Sequence, residues 1–107
     1  MRIEFLYWEE CPSHEQALAR LREVLAEEGI RAPIEIVRVD TEEEARRLRF
    51  PGSPTIRVDG TDIAPPPDQP TGLSCRVYLT EDGRVTPLPT KAMIRRALRT
   101  LRARGGA

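Results

Sequence analysis

The strongest constraint on the fold is a strand that leads, after a short turn, into an amphipathic helix. Residues 2–8 (RIEFLYW) carry apolar side chains on both faces, which is the pattern of a strand covered on both sides. Apolar residues then recur at helical spacing from Ala17 to Leu25, and Gly29 ends the pattern. This order predicts an α/β fold with the first strand at the centre of the sheet.

The middle of the chain continues the alternation of strands and helices. Residues 34–40 (IEIVRVD) predict a second strand, and Thr41 opens a capping-box pattern for a short second helix. Residues 54–58 and 61–64 predict a hairpin, because the Asp59-Gly60 dipeptide between them (59–60) is a strong signal for a two-residue turn.

The last third of the chain predicts a loop, a hairpin and a helix. Residues 64–74 hold four prolines and a glycine, so they predict a loop. Residues 75–79 and 84–88 predict two short strands, and Thr90 is placed to cap a final helix. We therefore expect one α/β domain over residues 1–107, with an extra C-terminal hairpin before the last helix.

Charge and composition narrow the classes of partner. Lys and Arg total 17, as do Asp and Glu, so the formal net charge is zero and predicts no general attraction to nucleic acid or an anionic membrane. The N-terminal apolar residues are interrupted by charges, unlike a secretory signal, so the expected compartment is the cytoplasm. With one histidine, two cysteines and no Gly-rich phosphate loop, the sequence predicts no metal cluster and no cofactor.

Two motifs give a family resemblance that spans nearly the whole chain. The element order, CPSH at residues 11–14 and SPT at residues 53–55 together resemble the thioredoxin and glutaredoxin superfamily. Within it, LYWEECPSH and RFPGSPTIRVDG resemble a small, poorly characterised group of bacterial thioredoxin-like proteins, some of which are predicted to carry selenocysteine in the active position. The resemblance implies a thioredoxin-like fold with a central mixed four-stranded sheet flanked by helices, a cis Pro54 facing the reactive thiol, and thiol chemistry at Cys11. Dithiol members have a second cysteine where this chain has His14.

Cys11 is the predicted nucleophile. A helix N-terminus offers unpaired N–H groups and a partial positive charge, both of which favour a thiolate. Two helix starts remain open: Cys11 as the N-cap before Pro12, or a capping box of Ser13 with Gln16. Because charged and polar residues flank it, we expect Cys11 to be exposed.

His14 has two interpretations that the sequence does not separate. An imidazole titrates near neutral pH, so it would favour the thiolate or donate a proton to a leaving thiol. Equally, His14 would be a solvated residue of the first helical turn.

The resemblance also predicts residues that contact the substrate, namely Pro12, Ser13, Ser53, Pro54 and Thr55. A cis bond at Pro54 would turn the backbone of Ser53 toward an extended peptide or glutathione. The alternative is a trans proline at the first residue of a strand.

The position of Cys75 relative to Cys11 depends on the topology of the sheet. If Asp59-Gly60 forms the hairpin turn, the Pro-rich loop returns to the first helix and Cys75 approaches Cys11. If the third strand pairs directly with residues 75–79, Cys75 lies in the core at the far end of the sheet. We favour proximity and expect an intramolecular disulfide under mild oxidation.

These features together predict a thiol-based redox protein, of the kind of a thiol–disulfide oxidoreductase. The Cys11 thiolate would attack a disulfide, and Cys75 or an external thiol would resolve the mixed disulfide. The expected partner is a disulfide-containing protein or a glutathione-like low-molecular-weight thiol. The alternatives are a soft-metal or organomercurial carrier that uses both cysteines, and a non-catalytic interaction module.

Overall fold

The described elements follow the predicted order. The computed structural model describes residues 1–68 and 70–105; Gln69, which belongs to the predicted Pro-rich loop, and residues 106–107 lie outside the described residues. The elements are β1 (Ile3–Tyr7), α1 (His14–Glu27), β2 (Ile34–Arg38), α2 (Glu42–Arg47), β3 (Thr55–Val58), β4 (Thr61–Asp62), β5 (Tyr78–Leu79), β6 (Val85–Thr86) and α3 (Lys91–Gly105).

The main sheet is mixed and has four strands in the order β2-β1-β3-β4. β1 pairs in parallel with β2 and antiparallel with β3, and β4 is antiparallel to β3. β5 and β6 form a separate antiparallel pair that precedes α3. The predicted four-stranded mixed sheet, its central first strand and the extra hairpin are therefore confirmed.

β1 sends side chains into two apolar clusters, one on each face of the sheet. Ile3 and Phe5 are fully buried on one face and Leu6 is 1% exposed on the other. The first cluster takes its helical residues from α1 and α3: Ala17, Leu21, Val24, Leu25, Ile94 and Leu98. The second is smaller and joins Leu6 to Val39, Ala45 and Phe50. Helices thus cover both faces of β1, with α2 on the side opposite α1 and α3.

The β3–β4 turn directs the chain back to the α1 end of the sheet. Asp59 and Gly60 have φ angles of 51° and 85°, the positive pair that a two-residue hairpin of this twist requires. After β4 the chain crosses the Pro-rich loop, and Cys75 then forms an isolated parallel bridge with Ser53, just before β3. The predicted hairpin is therefore confirmed, and it brings Cys75 beside the start of β3.

Side-chain caps begin two of the helices as the sequence predicts. Thr41 Oγ1 accepts a hydrogen bond from the Glu44 N–H at 3.0 Å, and Thr90 Oγ1 accepts one from the Met93 N–H at 3.1 Å. Each bond satisfies an amide that has no partner inside the helix. Within the described ranges, none of the helices combines the length and apolar character needed to cross a membrane.

Candidate functional site

Cys11 lies in the turn between β1 and α1. Its N–H donates to the Trp8 carbonyl at 3.0 Å, and its own carbonyl accepts from the His14 N–H at 3.5 Å. Ser13 is the N-cap, but its side chain makes no capping hydrogen bond. The helix therefore begins at His14. Of the two predicted starts, the later one, with Ser13 as the N-cap, is therefore adopted, although the side-chain hydrogen bond of its capping box is absent.

The thiol of Cys11 is buried, so the prediction that it is exposed is wrong. The residue is 1% exposed, and its Sγ donates to the carbonyl oxygen of Ser53 at 3.4 Å. Cys11 is buried because a segment far along the chain packs beside it. Residues 74–76 lie along Ser53, where the Ser53 N–H donates to the Ser74 carbonyl at 2.7 Å and the Arg76 N–H donates to the Ser53 carbonyl at 3.0 Å.

Cys75 is exposed and lies against Cys11. Both cysteines are free thiols, and both lie at Ser53: the Cys11 sulfur contacts its carbonyl at 3.4 Å and Cys75 pairs with it in a parallel bridge. Hydrogen bonding with the Cys11 side chain, with smaller contributions from partial desolvation and from the charge on Cys11, raises the pKa of Cys75 to about 11. The predicted approach of Cys75 to Cys11 is confirmed.

The Ser53–Pro54 peptide bond is cis, as the resemblance implies. The backbone of Ser53, however, is bonded to residues 74–76 of the same chain, and its Oγ accepts from the Trp8 N–H at 3.0 Å. The edge that we expected to receive an extended substrate is therefore occupied by the protein itself.

The other residues predicted to contact substrate divide into covered and open ones. Pro54 and Thr55 are buried. Thr55 Oγ1 donates to the Gly52 carbonyl at 2.6 Å and accepts from Arg76 Nη1 at 3.2 Å. Pro12 is exposed and Ser13 is half-buried, so these are the two of the five predicted residues that offer surface.

Arg76 is a site residue that sequence reasoning missed. Its Nη1 donates to Asp62 Oδ2 at 2.8 Å, and its Nη2 donates to the Ala64 carbonyl at 2.6 Å. The guanidinium also lies 4.3 Å from the ring centroid of Tyr78. The available signal was a charged residue beside Cys75 in an otherwise apolar stretch, CRVYL.

Tyr78 and Gly52 complete the attachment of this segment. The Tyr78 hydroxyl donates to the Pro54 carbonyl at 2.5 Å, and burial raises the pKa of Tyr78 well above its ordinary value. A Cβ on Gly52 would lie 2.9 Å from the Cβ of Arg76, too close for any residue but glycine without a shift. We call residues 74–78, held in this way over Ser53, Pro54 and Thr55, the cover segment.

His14 packs on an aromatic ring. Its imidazole stacks on Tyr7 with centroids 4.6 Å apart and an interplanar angle of 28°. In the described part of the chain, its side chain has no hydrogen bond to Cys11 or Cys75. A part for His14 in thiol chemistry stays a prediction.

Cys75 lines an open cleft of about 340 Å³ beside the cover segment. Pro51, Pro66, Pro70 and Val77 are among its walls. In residues 1–68 and 70–105 no group of three or more His, Cys, Asp or Glu side chains is placed to hold a metal ion. The thiol that faces this cleft is that of Cys75, whereas Cys11 is buried beside it.

Comparison with known proteins gives no relative for this chain: no protein-family model, curated protein or solved structure matches it.

Proposed function

We propose that this protein is a thiol–disulfide redox protein with a thioredoxin-like fold, and that Cys11 and Cys75 are its reactive pair. The observation that carries the proposal is the placement of both free thiols at Ser53, whose carbonyl lies 3.4 Å from the Cys11 sulfur and which pairs with Cys75 in a parallel bridge. Three features support the fold: the mixed sheet with central β1, the cysteine between β1 and α1, and the cis proline before β3.

The proposed cycle exchanges two electrons between the sulfur pair and a partner. When the pair is oxidised, the two S–H bonds are lost and one S–S bond forms; the partner disulfide accepts the two electrons and two protons and becomes two thiols. Formation of the bond requires the α-carbons of the two cysteines to lie within about 7 Å of each other. The partner that suits this chemistry is a disulfide-containing protein or a glutathione-like thiol, and a reducing compartment such as the cytoplasm would regenerate the dithiol.

The two sulfurs have different roles in the proposed cycle because their surroundings differ. The raised pKa of Cys75 means that this thiol keeps its proton near neutral pH. Cys11 is 1% exposed, so a partner sulfur joins the exposed Cys75 rather than Cys11. In the proposed cycle Cys11 is therefore the intramolecular nucleophile and Cys75 is the sulfur that it attacks.

The test is oxidation of the purified reduced protein with diamide, followed by mass spectrometry without reduction. We expect the loss of two hydrogen atoms and a peptide pair that joins Cys11 to Cys75. The variants Cys11→Ser and Cys75→Ser, which each keep one thiol, are the matched controls and must not lose that mass. Equilibration with glutathione buffers then measures whether the bond is reversible. A protein that yields only intermolecular dimers, or glutathione on one cysteine, would contradict the dithiol cycle.

The same adjacent thiols also suit a soft-metal carrier, because thiolates are preferred ligands of soft ions. The two functions differ in stoichiometry and turnover. A carrier takes up one mercuric ion per sulfur pair and shows no catalysis of disulfide exchange. A redox protein shows the reversible loss and gain of two hydrogen atoms with no metal added.

A further inference from the structure

The two sulfurs differ sharply in access from solvent. Cys11 is 1% exposed, whereas Cys75 is exposed and lines the open cleft beside the cover segment. The cover segment is attached along Ser53, whose carbonyl also contacts the sulfur of Cys11. An outside molecule therefore meets Cys75 first.

Attack on a disulfide adds a directional requirement to this difference. A thiolate approaches the sulfur that it attacks along the extension of the S–S bond, from the side opposite the leaving sulfur. To attack Cys11 in this way, the incoming thiolate would have to come from the protein interior. To attack Cys75, it comes from the side of Cys75 that faces away from Cys11.

On the basis of the redox function proposed above, we propose that an external thiolate reduces the oxidised protein by attacking the sulfur of Cys75, so that Cys11 is the leaving group. This assignment is the reverse of the one expected from the sequence, in which Cys11 meets the partner.

The step balances as an ordinary exchange. The incoming thiol R–SH loses its proton to solvent, its sulfur forms a bond to Cys75, and the Cys11–Cys75 bond breaks with its electron pair on Cys11. The Cys11 sulfur then takes up a proton, and it lies 3.4 Å from the Ser53 carbonyl that accepts its hydrogen bond. A second R–SH attacks the R sulfur of the mixed disulfide, which gives R–S–S–R and the Cys75 thiol.

The entrance suits this direction. The cleft at Cys75 holds about 340 Å³ and is walled by Pro51, Pro66 and Pro70, so it admits a small thiol beside the sulfur.

The experiment locates the mixed disulfide in the wild-type protein. Diamide-oxidised protein is treated briefly with reduced glutathione, quenched in acid so that thiolates are protonated and exchange stops, digested with pepsin and mapped by mass spectrometry. We expect glutathione on the Cys75 peptide in at least about tenfold excess over the Cys11 peptide, because exchange depends on which sulfur is accessible. Glutathione mainly on Cys11, or equally on both, overturns the proposal and leaves the redox function standing.

Failure of the function itself is visible one step earlier. If diamide produces no Cys11–Cys75 disulfide, the dithiol cycle is wrong, and the proposed attack of an external thiolate on Cys75 is wrong with it. A matched pair of variants gives a kinetic check, because Val77 and Leu79 are 64% and 66% exposed but only Val77 lines the cleft with Cys75. Val77→Trp should slow reduction by glutathione several-fold and Leu79→Trp should not. Equal rates in the two variants would contradict entry through this cleft.

Discussion

The face of the sheet under α1 and α3 and the cover segment over Ser53 are held together by different forces. The first is an apolar cluster in which Leu21, Ile94 and several neighbours are fully buried. The cover segment has few buried side chains of its own, chiefly Arg76 and Tyr78, and its other contacts are hydrogen bonds. Apolar burial stabilises the whole fold, whereas a small polar network fixes one local geometry and can open without global unfolding.

Because the two regions are held by different forces, we expect the stability of the fold and the access of reagents to the cysteines to respond to different substitutions. A change in the apolar cluster should alter the free energy of unfolding and leave the order of access to the two cysteines unchanged. A change in the cover segment should alter access to Cys11 more than it alters unfolding. The predictions below test that separation.

The largest effect on stability is expected from Leu21→Ala, because Leu21 is 0% exposed inside the apolar cluster. Removal of a buried leucine side chain leaves a cavity and costs about 2–5 kcal/mol of unfolding free energy. Urea or thermal denaturation measures it. Leu79→Ala is the matched control, since that leucine is 66% exposed and the change should cost less than about 0.5 kcal/mol. In Leu21→Ala under native conditions, Cys75 should still react with iodoacetamide faster than Cys11.

The next effect is the pH dependence of Cys75 alkylation. Hydrogen bonding to Cys11 raises the pKa of Cys75 to about 11, so its rate of reaction with iodoacetamide should keep rising up to about that pH. Cys11→Ala removes the hydrogen-bond partner and should move the midpoint toward the ordinary thiol value of about 8.5. Midpoints that coincide in the two proteins would contradict the contact between the sulfurs.

The raised pKa of Cys75 also predicts that the free energy of unfolding falls as the pH rises above about 8.5. Above about pH 8.5 the unfolded chain releases the Cys75 proton, while the folded protein retains it until about pH 11. The unfolded state therefore binds fewer protons, and this contribution to stability, complete below about pH 8.5, is lost as the pH rises to about 11. The difference in unfolding free energy between the wild type and Cys75→Ser should shrink over that range; an increase would contradict the assignment.

A smaller effect, on access, is expected from Arg76→Met. The change removes the guanidinium that bonds Asp62, Thr55 and the Ala64 carbonyl, so the cover segment should open more often. Alkylation of Cys11, followed by mass spectrometry of its peptide, should be about tenfold faster, equivalent to about 1.4 kcal/mol of easier opening.

Arg84→Met is the matched control for this change. The Arg84 side chain is 81% exposed and pairs with Asp82 at the surface, so its loss should leave Cys11 alkylation unchanged. If Arg76→Met lowers global stability without exposing Cys11, then the cover segment unfolds only with the rest of the protein.

Most elements of the fold are predictable from short stretches of the sequence. The order of β1, α1, β2 and α2 follows from local periodicity and caps, and the β3–β4 hairpin follows from the Asp59-Gly60 turn. The closeness of Cys11 and Cys75 follows once that hairpin is accepted.

The burial of Cys11 could not be predicted from its neighbours. Glu10 and Pro12 are exposed on either side of it, and the group that covers its sulfur comes from residues 74–76. Likewise the partners of Arg76 lie 14 and 21 positions away, at Asp62 and Thr55. Such contacts are set by tertiary packing, which short-range patterns do not encode.

The smallest effect is expected at His14, and it decides between the two interpretations that the sequence leaves open. The ring stacks on Tyr7 and hydrogen-bonds neither cysteine. His14→Phe keeps an aromatic ring on Tyr7 but removes both nitrogens. Glutathione should therefore reduce the oxidised variant at the same rate as the oxidised wild type. His14→Ala loses the stack and should cost about 0.5–1.5 kcal/mol of unfolding free energy.

His14→Phe distinguishes the two roles of His14, because it keeps the packing on Tyr7 and removes the groups that transfer a proton. If the imidazole donates a proton to the departing Cys11 sulfur, His14→Phe slows exchange while stability is retained, and the rate loses the pH dependence that a titrating ring gives near neutrality. If the ring only packs, the pH profile of His14→Phe follows that of the wild type. The stacking geometry favours the second outcome, in which the proton taken up by Cys11 comes from solvent and the resulting thiol donates to the Ser53 carbonyl, 3.4 Å from its sulfur.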